Sequence, residues 1–312
     1  MESERGHVAV LQQEALEALA ILPSGIYLDG TYGRGGHSEL ILQSLDADGR
    51  LVALDQDPDA IADGQRRFRD EPRFTLHKCN FEELEVIADK EGIAGAVNGI
   101  LLDLGVSSPQ LDQAERGFSF SRDGALDMRM DTQHGPTAAQ WLAEVSAQEL
   151  ATVLRDYGDE RFAKRIAQAI VTERSSRPLK STVQLAEVVK AAHPRWDHQR
   201  HPATKTFQAI RIHINRELAV LESALAQSAR LLAIGGRLVV ISFHSLEDRA
   251  VKRFMRGPVP ARDIPRHLPL PDAELTREKT MKSLGKVVAG ESERTQNPRA
   301  RSAVLRAGVR IA

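Results

Sequence analysis

The 312-residue chain has 42 Lys and Arg against 43 Asp and Glu, 42% apolar residues and a net charge of −1. Such a composition is typical of globular proteins, and the length allows one large domain or two ordinary ones. The apolar runs are far too short to cross a bilayer and no signal peptide opens the chain, so we expect no membrane association. The single cysteine, Cys79, excludes an internal disulfide and a cysteine-based zinc site, which favours a cytoplasmic setting.

Charge is unevenly distributed along the chain. Residues 1–112 hold 9 basic and 21 acidic residues, a balance of −12. Residues 161–216 hold 12 basic and 3 acidic residues, and residues 249–312 hold 15 basic and 6 acidic residues. Each of these segments therefore has a balance of +9. Two basic segments indicate a face that binds a polyanion such as nucleic acid, although either one can also be an ordinary solvated surface.

The first third of the chain alternates between helical and strand-like patterns. Residues 7–22 predict an entry turn and a helix, and Ser38 is a suitable N-cap for a second helix after a glycine-rich turn. Short apolar runs predict strands at residues 26–29, 50–55, 73–77 and 99–103. With helical spacers between them, they predict a parallel, twisted sheet that has helices on both faces.

The pattern changes after the fourth strand. Residues 113–205 are mainly helical in pattern, and we interpret them as an insertion that separates a first part of the α/β domain, residues 1–112, from a second part, residues 206–312. Within that second part, one long helix at 207–232, ended by Gly235 and Gly236, leads into the fifth strand. The fifth strand is predicted at 237–243, a loop or extended basic segment at 257–300, and a closing edge strand at 303–307.

The glycine-rich turn after the first strand points to a particular ligand. Dinucleotide sites use a GxGxxG frame aimed at a pyrophosphate, whereas this turn has Asp29, Thr31, Gly33 and Gly35 at two-residue steps. That spacing is typical of S-adenosylmethionine (SAM) sites, in which the acid serves the ammonium end of the ligand. Thr31 departs from the frame because a glycine is usual there. A glycine-rich turn can also be a plain structural connection.

Other residues at the same sheet edge support a SAM pocket. Asp55 ends the second strand, twenty residues beyond Gly35, where a carboxylate can accept both hydroxyl hydrogens of a ribose. Phe81 follows the third strand, where an adenine ring would lie, and Asp103 ends the fourth. A nicotinamide dinucleotide fits less well, because the phosphate frame and a second nucleotide-binding half of the sheet are absent.

Seven sequence blocks carry a family resemblance. They lie at residues 29–38, 102–112, 116–120, 126–131, 201–209, 242–249 and 297–302 and read DGTYGRGGHS, LDLGVSSPQLD, RGFSF, LDMRMD, HPATKTFQA, SFHSLEDR and NPRARS. Together they closely resemble the bacterial ribosomal RNA small-subunit methyltransferase H family, also called MraW, from about residue 7 to residue 305. Ala9 departs from the family's usual proline, which bears only on the N-terminal turn.

The resemblance implies an α/β fold with a Rossmann-like, SAM-dependent methyltransferase sheet and an inserted helical domain that recognises RNA. It implies methylation of the exocyclic N4 of a cytidine in the decoding region of 16S ribosomal RNA, within the small ribosomal subunit. The implied SAM contacts are Gly35, Gly36, His37, Asp55, Phe81, Asp103 and Gln110. Of these, His37 and Gln110 come from the resemblance alone, and the glycine spacing adds Gly33.

Transfer to an amino group requires a proton acceptor, because the lone pair of a cytosine amino nitrogen is delocalised into the ring. Many amino-methyltransferases place an acid or amide, two prolines and an aromatic residue after strand four, and this chain lacks that clamp. We expect Asp103, or the loop backbone at 104–108, to accept the hydrogens. Phe243 and His244 would hold the base, although His244 can equally be a helix-capping or core histidine.

The insertion carries residues suited to RNA. Trp196 and Phe207 can stack on bases, and a base in folded RNA has to be splayed out to reach the pocket. Nine basic residues can neutralise phosphates, namely Arg161, Lys164, Arg165, Arg174, Arg177, Lys180, Arg195, Arg200 and Lys205. His193, His198 and His201 do not predict a metal site, because no cysteines accompany them and prolines interrupt any helix between them.

Three other functions were weighed against an RNA methyltransferase. A non-enzymatic RNA-binding or assembly factor would not need the complete set of pocket residues. A nicotinamide-dependent oxidoreductase conflicts with the glycine frame. A methyltransferase acting on proteins or small molecules would explain the pocket but not the two basic segments. The pattern predicts no particular oligomeric state.

Overall fold

The computed structural model describes residues 9–195, 201–257 and 279–312. The chain divides into two compact units, one formed by Met1–Gly105 with Leu218–Ala312 and the other by Val106–Glu217. The predicted insertion, residues 113–205, lies within the second unit. Three residues assigned above to RNA or weighed as metal ligands lie outside the described residues, namely Trp196, His198 and Arg200.

The first unit contains a seven-stranded sheet. Its strands are β1 (Ile26–Asp29), β2 (Arg50–Asp55), β3 (Phe74–Lys78), β4 (Val97–Asp103), β5 (Leu232–Ser242), β6 (Met281–Val288) and β7 (Val304–Arg310). They are arranged in the order β3-β2-β1-β4-β5-β7-β6. The first five are parallel, and β7 runs antiparallel to both neighbours. The predicted Rossmann-like α/β fold is confirmed.

The last two strands differ from the prediction. The predicted edge strand at 303–307 corresponds to β7, which is the second strand from the edge, and β6 forms the edge itself. In β6 only Met281 is buried, and the other seven residues are exposed. An edge strand exposed on both faces needs no apolar alternation, so its sequence resembles that of a loop.

Helices of the first unit cover both faces of the sheet. The α-helices within the described residues are α1 (Gln12–Leu19), α2 (Gly36–Ser44), α3 (Pro58–Arg67), α4 (Leu84–Lys90), α5 (Ser108–Asp112), α6 (Ala138–Glu144), α7 (Ala147–Gly158), α8 (Ala163–Ser176), α9 (Thr182–Ala192), α10 (Ala203–Ile214), α11 (Glu217–Leu231), α12 (Ser245–Arg256) and a short helix at Glu291–Gln296. Because strand side chains alternate, Leu28 and Ile100 pack on the α4 and α11 side, whereas Tyr27 and Leu101 pack on the α1 and α2 side. None of the described helices is long and apolar enough to cross a membrane.

The second unit is helical, with α5–α10 around its own apolar core. The single helix predicted at 207–232 is wrong, because α10 ends at Ile214 and α11 begins at Glu217. Asn215 causes the break: its Nδ2 donates to the carbonyls of Met128 and Arg211, both at 2.8 Å, and Arg216 follows with φ 51°. Gly235 and Gly236 lie inside β5 and do not end a helix.

Candidate functional site

The turn after β1 is fixed from inside by Asp29. This side chain is fully buried, and its carboxylate accepts hydrogen bonds from the Thr31 N–H at 3.0 Å and the Ser38 hydroxyl at 2.6 Å. Burial raises the pKa of Asp29, and the hydrogen bond from Ser38 works against that rise. Asp29 thus holds the turn from within, and its contact with a ligand ammonium stays a prediction. The predicted capping role of Ser38 is wrong, since Gly35 is the N-cap of α2.

Gly35 permits a close approach between the turn and an aromatic ring. It has φ +69°, and a Cβ built on it would lie 2.6 Å from the Tyr32 hydroxyl oxygen, while one on Gly36 would lie 3.1 Å from the Ala9 Cβ. Gly33 also has a positive φ, +57°. The N-cap of α2 is Gly35, which has no side chain to cap the helix start. The amides of a helix start suit the carboxylate end of an amino-acid ligand.

Asp55 lies at the carboxyl end of β2, as expected. Its two oxygens accept hydrogen bonds from the backbone N–H groups of Gly33, at 2.7 Å, and Asp57, at 2.8 Å. Burial raises the pKa of Asp55 to about 6, and these two backbone hydrogen bonds lower it in part. Each carboxylate oxygen has a second lone pair, so the group can still accept hydrogens from a ribose.

The end of β4 joins the same region. The backbone N–H of Asp103 donates to Thr31 Oγ1 at 2.6 Å, and Asp103 Oδ2 lies 3.5 Å from His37 Nε2. His37 is only 7% exposed. Burial lowers the pKa of His37. The carboxylates of Asp103 and Asp29 and the Val10 carbonyl raise it by more than burial lowers it, so the pKa lies above its ordinary value.

Two polar atoms at this end of β4 stay buried without a hydrogen-bond partner among the described residues, Asp103 Oδ1 and His37 Nε2. A buried carboxylate oxygen without a donor costs free energy unless a ligand supplies one. The arrangement therefore fits a polar ligand that brings N–H or O–H donors to Asp103.

Phe81 lies in the loop after β3, which is hydrogen-bonded to the loop after β2. It begins the single turn Phe81–Glu83, in which Asn80 Oδ1 accepts from the Glu82 N–H at 2.9 Å. The Asn80 amide also donates to Gln56 Oε1 at 2.8 Å, and Gln56 directly follows Asp55. Phe81 is partly buried against the sheet core. The loops after β2 and β3 are thus held together, as a nucleoside pocket needs.

His244 has a structural role at the start of α12. Its ring caps α12, with Nδ1 accepting from the Glu247 N–H at 3.4 Å and Nε2 lying 3.0 Å from Glu247 Oε1. Glu247 Oε2 in turn accepts from the Phe243 N–H at 2.8 Å. The Phe243 ring lies 3.8 Å from the position of a Cβ on Gly105, in the loop after β4. His244 thus orients the Phe243 loop.

Gln110 belongs to the second unit, unlike the other residues assigned to the cofactor. It is buried, and its side-chain oxygen accepts from the Ser107 N–H at 2.9 Å in a capping box that starts α5.

The residues assigned to RNA separate into exposed and structural sets. Seven are exposed: Arg161, Lys164, Arg165, Arg177, Lys180, Arg195 and Lys205. Arg174 does not have its predicted role on phosphate, because its guanidinium donates to the carbonyls of Leu142 and Val145 at the end of α6. Phe207 is 5% exposed within the core of the second unit, so its predicted stacking on a base is wrong.

Two of the three histidines considered as metal ligands are described, and both have contacts of their own. His193 Nε2 lies 3.6 Å from Glu160 Oε1, and its ring meets the Phe162 ring edge-on. His201 packs on the Phe120 ring with 4.8 Å between centroids, and its Nδ1 accepts from the Ala203 N–H at 3.2 Å.

Sequence patterns alone did not give the roles of Thr31 and Asn80. Thr31 could have been found, because a residue that breaks a regular glycine frame invites a question about what its side chain does. Asn80 carries no comparable signal, since its partner Gln56 lies 24 residues away in the sequence.

Comparison with known proteins decides the family. The model of the MraW methylase family matches residues 4–311. The chain belongs to this family. Its members' dependence on SAM agrees with the glycine turn, Asp55 and the unpaired oxygen of Asp103, so the chain is a SAM-dependent methyltransferase.

Curated relatives match over nearly the full length. "Ribosomal RNA small subunit methyltransferase H" of Thioalkalivibrio sulfidiphilus is 56% identical over 307 residues, covering 98% of each chain. The protein of the same name from Pseudoalteromonas atlantica is 49% identical over 312 residues and covers 100% of each chain. A solved rRNA methylase structure from Streptococcus thermophilus matches with 10% identity and a TM-score of 0.37, covering 96% of this chain and 94% of that one.

Proposed function

We propose that this chain transfers the methyl group of SAM to the exocyclic N4 of a cytidine in the decoding region of 16S ribosomal RNA. The observation that carries the proposal is the Asp103 carboxylate at the carboxyl end of β4, where Oδ1 is buried and lacks a hydrogen-bond partner among the described residues. Curated relatives named ribosomal RNA small subunit methyltransferase H support the substrate class. The base and its position follow from the sequence resemblance.

The residues that hold the cofactor are those of the β1 turn and of the ends of β2, β3 and β4. Gly33, Gly35 and Gly36 give backbone access, and the first N–H groups of α2 suit a carboxylate. Asp55 accepts hydrogens from the ribose, and Phe81 packs on the adenine. His37 and Gln110 complete the assigned set. When bound, the cofactor supplies an electrophilic methyl group.

Asp103 is proposed as the acceptor for the amino hydrogens. The cytosine nitrogen becomes more nucleophilic as it pyramidalises, and a carboxylate oxygen within hydrogen-bond reach favours that change. Asp103 Oδ1 is available, whereas Oδ2 faces His37 at 3.5 Å. Phe243 holds the base, and His244 acts as a positioning residue through the start of α12.

The partner is 16S ribosomal RNA, and we propose that it is bound within the small ribosomal subunit in the cytoplasm. The seven exposed residues of the basic set assigned to RNA supply positive charge for its phosphates.

The test of the proposed function is mass spectrometry of 16S RNA digests from cells with and without this chain. Loss of one N4-methylated cytidine from the decoding region is the expected result, and unchanged digests would refute the proposal. A SAM titration by calorimetry separates an enzyme from a non-enzymatic RNA-binding factor, because the latter has no need to bind the cofactor.

The role of Asp103 is tested with Asp103→Asn in single-turnover reactions at saturating SAM and RNA. Loss of a positioned proton acceptor should lower the rate by about 100-fold or more. A normal rate under saturation would exclude Asp103 from the chemical step while leaving the assignment of the substrate intact.

A further inference from the structure

A concave pocket lies on the second unit, between the end of α7 and the start of α8. Its volume is about 580 Å³, and its lining includes the four basic residues Arg155, Arg161, Lys164 and Arg165. Arg155 is paired with its neighbour Asp156, with Nε to Oδ1 at 2.8 Å. The other three side chains are exposed and have no hydrogen-bond or ion-pair partner in the described parts of the chain.

Helix α8 begins in this pocket in an unusual way. The 14-residue helix has no acidic residue in its first turn and no side-chain cap at Phe162. Lys164 and Arg165 occupy that first turn, although the positive end of a helix dipole disfavours cations there. An anion bound at this end would be stabilised by the helix amides and by both side chains.

The acids that line the pocket do not neutralise it. Glu160 is only 4% exposed, and its Oε1 accepts from the Phe162 N–H at 2.9 Å and lies 3.6 Å from His193 Nε2. Asp159 points to solvent, with Lys205 Nζ 4.0 Å from its carboxylate. Glu160 is therefore committed to the protein, and the unpaired cations outnumber the one exposed acid.

We propose that this pocket binds backbone phosphates of the RNA substrate, with Arg161, Lys164 and Arg165 as the phosphate-binding residues. The inference rests on the proposed function in taking RNA as the polyanion, and it adds a defined site within the second unit. A concave, cationic surface at a helix start matches tetrahedral phosphate groups, which accept several hydrogen bonds at once.

The experiment uses the full chain and a 16S RNA fragment containing the decoding region. The pocket variant is Arg161→Gln, Lys164→Gln and Arg165→Gln combined. The matched control is Arg69→Gln, Lys90→Gln and Lys190→Gln, which removes the same charge from exposed residues that neither line the pocket nor belong to the set assigned to RNA. RNA affinity is measured over a range of salt concentrations, and SAM affinity is measured by calorimetry as a check on folding.

The pocket variant should bind RNA more weakly than the control, with a salt dependence (the slope of log K against log salt) shallower than wild type by about 0.7 to 0.9 for each lost phosphate contact. SAM affinity should stay at the wild-type value. Tripolyphosphate should compete with RNA for the wild-type chain more strongly than for the pocket variant.

Three outcomes would overturn the inference. Equal losses in the pocket and control variants would show a general charge effect, and an unchanged pocket variant would show that the pocket does not bind RNA. In both cases the proposed function stands, provided that the wild-type chain binds and methylates RNA. Absence of RNA binding by the wild-type chain would overturn the inference, whereas the proposed function, in which the RNA is bound within the small ribosomal subunit, is judged by the 16S RNA digests.

Discussion

Thr31 Oγ1 accepts a hydrogen bond from the backbone N–H of Asp103 at 2.6 Å. This contact joins the turn after β1, which contains the glycines proposed to bind the cofactor, to the end of β4, which carries the proposed proton acceptor. Thr31 is also the residue that departs from the usual glycine frame. Its hydroxyl thus gives the departure a structural reason, because a glycine would leave the Asp103 N–H without this acceptor.

Thr31→Val should weaken the site, since it keeps the side-chain shape and removes the acceptor. Leaving the Asp103 N–H unpaired should lower the free energy of unfolding by about 1 to 3 kcal/mol and reduce SAM affinity. Thr31→Ser keeps the hydroxyl and should stay close to wild type in chemical denaturation and calorimetry. If the valine and serine variants have the same free energy of unfolding and the same SAM affinity, the hydrogen bond makes no measurable contribution to either.

Gly35→Ala should be more damaging than its backbone angle alone explains. A positive φ costs an alanine about 1 to 2 kcal/mol, and the added Cβ would meet the buried Tyr32 ring. Gly92→Ala is the matched control, because Gly92 has φ +67° and no atom within 4 Å of the built Cβ. Thermal unfolding should show the larger loss for Gly35→Ala, accompanied by weaker SAM binding. Equal losses of thermal stability in the two variants would show that the positive φ accounts for the whole effect of Gly35→Ala.

Asp55 should make SAM binding depend on pH. Burial raises the pKa of Asp55 to about 6, so the carboxylate is ionised above that pH and protonated below it. Since the ionised form is the better acceptor of ribose hydroxyl hydrogens, SAM affinity should fall as the pH drops through about 6. Calorimetry over a pH series measures this directly.

The control for this pH series is Asp55→Asn, whose affinity for SAM should be low and should not change near pH 6.

The raised pKa of Asp55 also predicts how the free energy of unfolding changes with pH. The folded state binds the proton more tightly than the unfolded chain, so Asp55 lowers stability as the pH rises from about 4 to about 6. A midpoint of the wild-type profile near pH 4 would contradict the assignment to Asp55.

His244→Ala should lower the free energy of unfolding by about 1 kcal/mol through loss of the α12 cap, whereas His244→Asn should retain it because asparagine is a good N-cap. If His244 only positions Phe243, the asparagine variant should also keep a methylation rate within about tenfold of wild type. A loss of rate in a fully stable asparagine variant would show that the imidazole itself takes part in the reaction.

The parallel strands and the carboxylates at their ends could be predicted because each depends on a short stretch of sequence. An apolar run such as residues 26–29, followed by an acid and glycines, predicts a strand and a tight turn wherever it occurs. The break at Asn215 could not be predicted in this way. It depends on the carbonyl of Met128, 87 residues earlier, which only the folded chain brings within reach of the amide.

The sequence by itself determined the five parallel strands, the glycine-rich turn and, through its family blocks, the methyltransferase class. Those features depend on local spacing and side-chain type. The tertiary structure alone decided which of the matching polar residues face a ligand and which hold the protein together. Asp29 and Arg174 carry suitable charges, yet one is fully buried on its own turn and the other binds the carbonyls that end α6. Asp103 keeps a buried oxygen free of partners among the described residues, and the Thr31 N–H and the Ser38 hydroxyl donate to Asp29 instead.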